Sequence, residues 1–421
     1  MSNFDLVLKL FFQLAVILAV CRIVGMVGSR LGQAHVVSEM VAGVMLGPSL
    51  LGLVAPDLQA WIFPKACMPV LYAISQVGLV LYMFMIGLEF DIGLILGQVR
   101  GALFVSWTGI AVPLVLGGTA AVVLRDRADL FASHVTLACA ALYLGAAMSI
   151  TAFPVLARII HEKGIARTRL GTLALAAGAS DDALAWCLLA VVLAQLTGTP
   201  ATAVLTIVGG AAYVALMLTI GRRLLAPLGR RVERDGKLTP AIMATALTVL
   251  MLSAWVTDAI GIYAVFGAFV AGIAMPRGRF VEEVTANVDL LTTTFFVPVF
   301  FVYSGLNTSI GLLSSPAVWT IALALLGIAI AGKGLACMAA ARAAGEAWRE
   351  AVTIGVLMNA RGLMELIILN IGLERGIITP TLFTIMVVMA IVTTLMTSPI
   401  FELVYRRDPE PVSATAAGAR G

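Results

Sequence analysis

The chain has 421 residues, of which 61% are hydrophobic and only 12% charged, with a net charge of +4 and a mean hydropathy of +1.04. A soluble domain carries about 25% charged residues, so the composition excludes an ordinary soluble protein and points to a polytopic membrane protein. The net charge decides little; the placement of the positive residues is what informs.

At about 20 apolar residues per crossing, the hydropathy pattern predicts about thirteen helices. They fall near residues 6–28, 36–54, 68–89, 101–124, 134–160, 169–195, 202–221, 240–257, 262–276, 288–306, 317–341, 351–373 and 380–405. The expected fold is all-α. It is a single membrane domain over residues 1–405, with inverted repeats at about 6–195 and 240–405, a linker helix at 202–221 and a short disordered tail at 406–421. The first apolar run has no basic leader and no small-residue cleavage site, so it reads as a retained helix. The five cysteines show no C-x-x-C spacing and predict neither a disulfide framework nor a metal site.

Basic residues test the count. Loops and span ends after odd-numbered spans, with the tail, hold 19 Lys and Arg, against 4 after even-numbered spans. By the positive-inside rule the C-terminus is expected in the cytoplasm and the N-terminus outside.

The chain also repeats itself. The third span ends Phe84-Met85-Ile86-Gly87-Leu88, and the tenth ends Phe301-Val302-Tyr303-Ser304-Gly305-Leu306. The second span carries Ala42-Gly43-Val44 before Pro48, and the ninth carries Ala271-Gly272-Ile273 before Pro276. Both pairings are seven spans apart. Seven is odd, so the copies face opposite ways across the membrane, as in transporters whose site lies where two inverted repeats meet.

Two spans at that same offset look broken. Pro154 interrupts the fifth, in Ser149-Ile150-Thr151-Ala152-Phe153-Pro154, while Asn359, Arg361, Gly362 and Glu365 interrupt the twelfth. A proline kink compensated by hydroxyl side chains is the simpler reading of the first; the matching position in the other half favours a discontinuous helix lining a cavity.

Charges inside the apolar runs form a small set. Ser180-Asp181-Asp182 lies in the sixth span, and a charge near the bilayer centre costs about 2.5–3.5 kcal/mol on insertion scales. Neighbouring residues of a helix point about 100° apart, so one aspartate can face a cavity while the other faces a neighbouring helix. Lys333 in the eleventh span is the natural partner for one of them, with snorkelling to an interface as the other reading. Arg361 and Glu365, at i and i+4, share a helix face and read as mutual neutralisation or a lock between helix ends. Glu39, near the start of the second span, reads as a boundary residue facing headgroups or a loop, with a site role as the alternative. There is no H-E-x-x-H, no phosphate-binding P-loop and no G-x-S-x-G, so an enzyme is not expected. Nor is a cofactor or a nucleic-acid partner.

Together these segments resemble the monovalent cation:proton antiporters. The carriers of the resemblance are Val36-Val37-Ser38-Glu39 with Leu46-Gly47-Pro48, Ser149-Ile150-Thr151-Ala152-Phe153-Pro154, Ser180-Asp181-Asp182, and Met358-Asn359-Ala360-Arg361-Gly362-Leu363-Met364-Glu365. The last three are most similar to the branch holding CHX-type, Kef-type and Na+/H+ exchangers. The resemblance implies a thirteen-helix fold, often a homodimer, in which a core domain moves like an elevator against a dimerisation domain. It implies that Asp182 holds cation and proton by turns and that Asp181 pairs with Lys333. Large CHX and Kef relatives carry soluble C-terminal domains that are not expected here, which argues against regulation of their kind.

The expected function is therefore exchange of Na+ or K+ for protons in a bacterial inner membrane. Asp182 is the expected cation ligand, and Asp181, Thr151 and Ser180 line the site. Lys333, Arg361 and Glu365 balance charge, and Pro154, Asn359 and Gly362 mark the helix breaks. A cation channel or a sodium-coupled solute symporter of similar topology is the alternative.

Overall fold

A computed structural model describes residues 2–33, 35–90, 99–127, 129–165, 168–178, 180–181, 188, 200–260 and 263–405. Among these residues there are helices and turns, with one isolated bridge between Phe131 and Ile378 and no strand. Nine of the described helices are long and apolar enough to cross a membrane. The fifth, ninth and twelfth expected spans are shorter pieces, and residues 169–178 and 180–181 of the sixth are helical.

Several span starts are written in the sequence as hydroxyl-proline pairs. Thr239-Pro240, Ser315-Pro316 and Thr379-Pro380 each begin a helix, and in each the hydroxyl oxygen accepts an N–H of the first turn. Proline suits the first helical position because its absent N–H would have no partner there. Large apolar side chains such as Phe11, Trp107, Val123, Trp255 and Leu403 stay exposed on the outer faces, as a lipid-facing surface requires.

The two halves meet through glycine. The second span (His35–Leu46) lies against the tenth where Gly43 meets Gly305: a Cβ added at Gly305 would sit 2.6 Å from the Cα of Gly43. The third span (Met68–Glu89) lies against the ninth (Ala264–Ala274), and a Cβ at Gly272 would sit 2.8 Å from the Cα of Gly87. The sequence repeat pairs Gly43 with Gly272 and Gly87 with Gly305. Exchanging the halves therefore turns the first contact into the second, which is the signature of a pseudo-two-fold axis. The offset of seven spans makes the repeats inverted.

The fifth span is two half-helices, Leu137–Ser149 and Phe153–Glu162, and the twelfth is Trp348–Met358 and Leu363–Glu374. Their extended middles cross, joined by the Ala152 N–H donating to the Ala360 carbonyl over 3.2 Å. Pro154, expected inside a helix, instead falls at the second residue of Phe153–Glu162. The chain has already left helical geometry at Ile150 (ψ 130°), so the proline opens the second half-helix rather than breaking the first. The helix expected over 202–221 also differs. It begins at Pro200, passes through a π-turn at Met217–Gly221 and continues to Asp235, ending at Gly236 with φ 69°. The basic stretch Arg222–Asp235 is this helical extension, whose Leu225, Leu228 and Val232 are buried.

Gly305→Ala should lower stability by about 1–3 kcal/mol, because backbone faces the new methyl and neither helix can yield cheaply. Gly327→Ala, where a Cβ meets nothing within 4 Å, should be neutral or stabilising by about 0.5–1 kcal/mol. Thermal unfolding of the purified variants in detergent compares the two.

Candidate functional site

The site forms where the fourth, fifth, sixth, eleventh and twelfth spans converge on the crossing. The half-helix Leu137–Ser149 ends inside the protein, so its last carbonyls have no partner in their own helix, and they carry the negative end of the helix dipole. Two cations meet them. The Arg361 guanidinium donates to the carbonyls of Met148 (2.8 Å) and Ala147 (3.3 Å). The Lys333 ammonium donates to the carbonyl of Ser149.

Lys333 is held there by an irregular helix. The eleventh span runs from Pro316–Ala329 through a π-turn at Ile330–Leu335 into Ala336–Ala343. The wide turn directs Lys333 inward, fully buried, whereas nearby Leu335 is 53% exposed. The snorkelling reading does not hold, because the ammonium points into the protein. π-Turns of this kind recur at functional sites.

Asp181 is 1% exposed and each carboxylate oxygen has donors. Ser106 donates to Oδ1 over 2.6 Å, Thr151 donates to Oδ2 over 2.7 Å, and Lys333 pairs with Oδ2 at 2.6 Å. A bare carboxylate in such a place costs several kcal/mol in lost hydration. One buried cation and two hydroxyl donors offset that cost. The expected pairing of Asp181 with Lys333 is what the geometry contains. Thr151 contributes its hydroxyl, which also lies 3.3 Å from the Met358 carbonyl at the end of the other half-helix.

The remaining expected residues divide. Arg361 and Glu365 form a fully buried ion pair at 3.3 Å. Glu365 stands in the first turn of Leu363–Glu374, where the helix dipole favours a negative charge. Gly362 caps that half-helix in an extended conformation, and Asn359 ends Trp348–Met358 with its side-chain oxygen buried and without a donor. Ser180 is half-buried and donates to the Ala176 carbonyl of its own helix over 2.9 Å, so it is not brought to the Asp181 carboxylate. Asp182 lies outside the described residues, as do the tail residues 406–421.

Ser106 was not singled out in the sequence. Its only signal is a hydroxyl inside the apolar run Leu103-Phe104-Val105-Ser106-Trp107, which many membrane helices carry. The π-turn had no signal beyond the small residues Ala331, Gly332 and Gly334.

An all-α membrane protein with paired broken helices crossing beside a buried carboxylate–ammonium pair has the build of a secondary transporter. The chain belongs to the sodium/hydrogen exchanger family: residues 15–403 match the family's transmembrane model. That is a family of transporters, not of enzymes. The chain is 39% identical to the Na+/H+ antiporter NhaS4 of Synechocystis over 404 residues, covering 94% of this chain and 97% of that one. It is 34% identical to the K+/H+ antiporter 1 of Saccharomyces cerevisiae, covering 94% of this chain but 46% of the yeast protein. Cation/H+ antiporter 18 of Arabidopsis thaliana is 35% identical, with 48% of its length covered. The chain thus spans nearly all of the cyanobacterial relative and about half of the other two. Among solved structures, the sodium proton antiporter MjNhaP1 of Methanocaldococcus jannaschii superposes with a TM-score of 0.61 at 15% identity, covering 94% of this chain and 96% of that one. At that identity the likeness is one of fold.

Lys333→Met should destabilise by about 3–5 kcal/mol, since it leaves Asp181 charged and buried without its cation. Adding Asp181→Asn should recover most of the loss, and a double-mutant cycle on thermal unfolding should yield a coupling above about 1 kcal/mol. Ser106→Ala should cost about 1–3 kcal/mol, as for other hydrogen bonds to charged groups.

Proposed function

We propose that the chain exchanges a monovalent cation, Na+ or K+, for protons across a bacterial inner membrane. The observation that carries this reading is the Asp181 carboxylate, fully buried at the crossing of the broken helices and held by Lys333, Thr151 and Ser106. A site that keeps an ammonium against a carboxylate at membrane depth is one where a positive charge is required at all times. Membership of the sodium/hydrogen exchanger family supports the same reading.

In this proposal Asp182 is the carrier. A carboxylate in a low-dielectric cavity takes up either a proton or a cation, because the bare charged state is the costly one. Competition for that one side chain makes exchange obligatory. Asp181 with Lys333 fixes the end of Leu137–Ser149 and sets the field in which Asp182 works, while Arg361 and Glu365 hold the crossing together. Oxygens of Asn359 and Thr151 complete the cation's coordination, as hard cations prefer oxygen ligands. The chain works by alternating access as a homodimer, with the N-terminus outside and the C-terminus in the cytoplasm.

In everted vesicles monitored with a pH-sensitive dye, addition of Na+, K+ or Li+ should release the proton gradient for the wild type and not for Asp182→Asn. Undiminished exchange by Asp182→Asn rules out the assigned carrier. Cation flux without proton movement in the wild type rules out antiport and favours a channel.

A further inference from the structure

A cavity of about 120 Å³ lies between the eleventh span, the first half of the twelfth and the thirteenth, Pro380–Val404. Each helix gives it one face. Gly334 and Met338 come from the eleventh, at i and i+4. Val352, Val356 and Asn359 come from Trp348–Met358 and its cap, at i, i+4 and i+7. Thr393, Met396 and Thr397 come from the thirteenth, at i, i+3 and i+4. Gly334 leaves room beside the Asn359 amide: a Cβ built there would sit 3.9 Å from its Cγ.

Most of the wall is apolar, and its oxygens are acceptors. Asn359 is 7% exposed, and its Oδ1 has no donor. Thr393 and Thr397 are buried. Thr393 donates to the carbonyls of Met389 (2.9 Å) and Ala390 (3.1 Å), and Thr397 donates to that of Thr393 over 3.0 Å. Both hydroxyl protons are thus engaged, and the oxygens are left to accept. A buried acceptor with no donor is costly, so a guest that brings one N–H or O–H gains more here than a plain hydrocarbon. Leu335, which also lines the cavity, is 53% exposed, so the cavity opens at the outer surface of the eleventh span.

We propose that this cavity binds a monohydric phenol: one aromatic ring carrying one hydroxyl. The volume suits a single ring, since an engineered apolar cavity of about 150 Å³ takes up benzene. The hydroxyl donates to Asn359 Oδ1. The ring lies against Met338, Val356 and Met396, and methionine sulfur packs well against aromatic rings. A lipid acyl chain would cover the same apolar wall and leave Oδ1 unpaired. A water molecule would pair Oδ1 and leave the apolar wall uncovered. A phenol does both, in the pattern of small-molecule sites that are mostly apolar with a few placed polar atoms. In the function proposed above the same oxygen serves the transported cation, so guest and cation compete for it. That competition rests on the proposed function; the binding of the guest does not.

The test is a fluorine NMR titration of the purified full-length protein in detergent, with choline chloride as the salt so that no alkali cation shares Oδ1. The probes are 4-fluorophenol and 4-fluorotoluene, which have the same shape and differ in the hydroxyl donor. Empty micelles and Val356→Phe, whose ring fills the cavity, are the blanks. 4-Fluorophenol should bind the wild type saturably and the blanks not. Asn359→Leu keeps the bulk and removes the acceptor, so the affinity ratio of 4-fluorophenol to 4-fluorotoluene should fall by about tenfold or more. Absence of saturable 4-fluorophenol binding to the wild type overturns the proposal, as does a ratio unchanged by Asn359→Leu. Should Asn359→Leu fail to fold, the wild-type ratio decides. It should exceed the cyclohexane–water partition ratio of the same pair by about tenfold or more, since cyclohexane cannot accept a hydrogen bond; equality of the two ratios overturns the proposal.

Discussion

Everything around the crossing answers one electrostatic demand: the half-helix Leu137–Ser149 ends in the middle of the protein with its carbonyls bare. The negative end of a helix dipole, buried there, needs positive charge. Lys333 and Arg361 supply it. Two buried cations then need anions, and Asp181 and Glu365 meet them at 2.6 and 3.3 Å. Hydroxyls from Ser106 and Thr151 finish the coordination of Asp181. Each charge is there because the one before it could not stand alone.

The twin crossing end is treated differently. At the end of Trp348–Met358 the carbonyls of Val356 and Leu357 accept the N–H groups of Asn359 and Ala360, and Met358 faces the Thr151 hydroxyl. In the alignment of the halves, Gly145 falls on Gly355 and Met148 on Met358, which places Thr151 opposite Arg361. One half has a hydroxyl where the other has a guanidinium. The backbone symmetry is kept through the glycine contacts while the charge symmetry is not, so the buried ion pairs gather on one side of the pseudo-axis.

Much of this was legible in the sequence. The span pattern, the seven-span repeat and the broken fifth and twelfth helices follow from hydropathy, glycine and the interrupted runs, because membrane helices must declare themselves in apolar length. Lys333 and Asp181 stood out because charge in an apolar run is costly. What could not be read was whatever depends on contact between helices far apart in sequence. Ser106 looks like any hydroxyl on a membrane helix until the sixth span is laid beside it. Ser180, one residue from Asp181, looked like a site residue, yet helical geometry turns it back on its own helix. Pro154 drew attention to the right place but by the wrong route, since the chain leaves helical geometry before reaching it.

The π-turn at Ile330–Leu335 has a bearing on how relatives of this chain diverge. A π-turn accommodates one residue more than the α-helix would, so the segments before and after it are out of phase by about 100° relative to an unbroken helix. A lineage that lost a single residue in this stretch would keep a helix just as apolar and long enough to span. Its lysine would nevertheless rotate off the carboxylate. Overall hydropathy would not register the loss, and an alignment that absorbed the gap elsewhere would still match lysine with lysine. The angular position of that residue, not its mere presence, separates chains that retain the buried pair from chains that have only the letters for it.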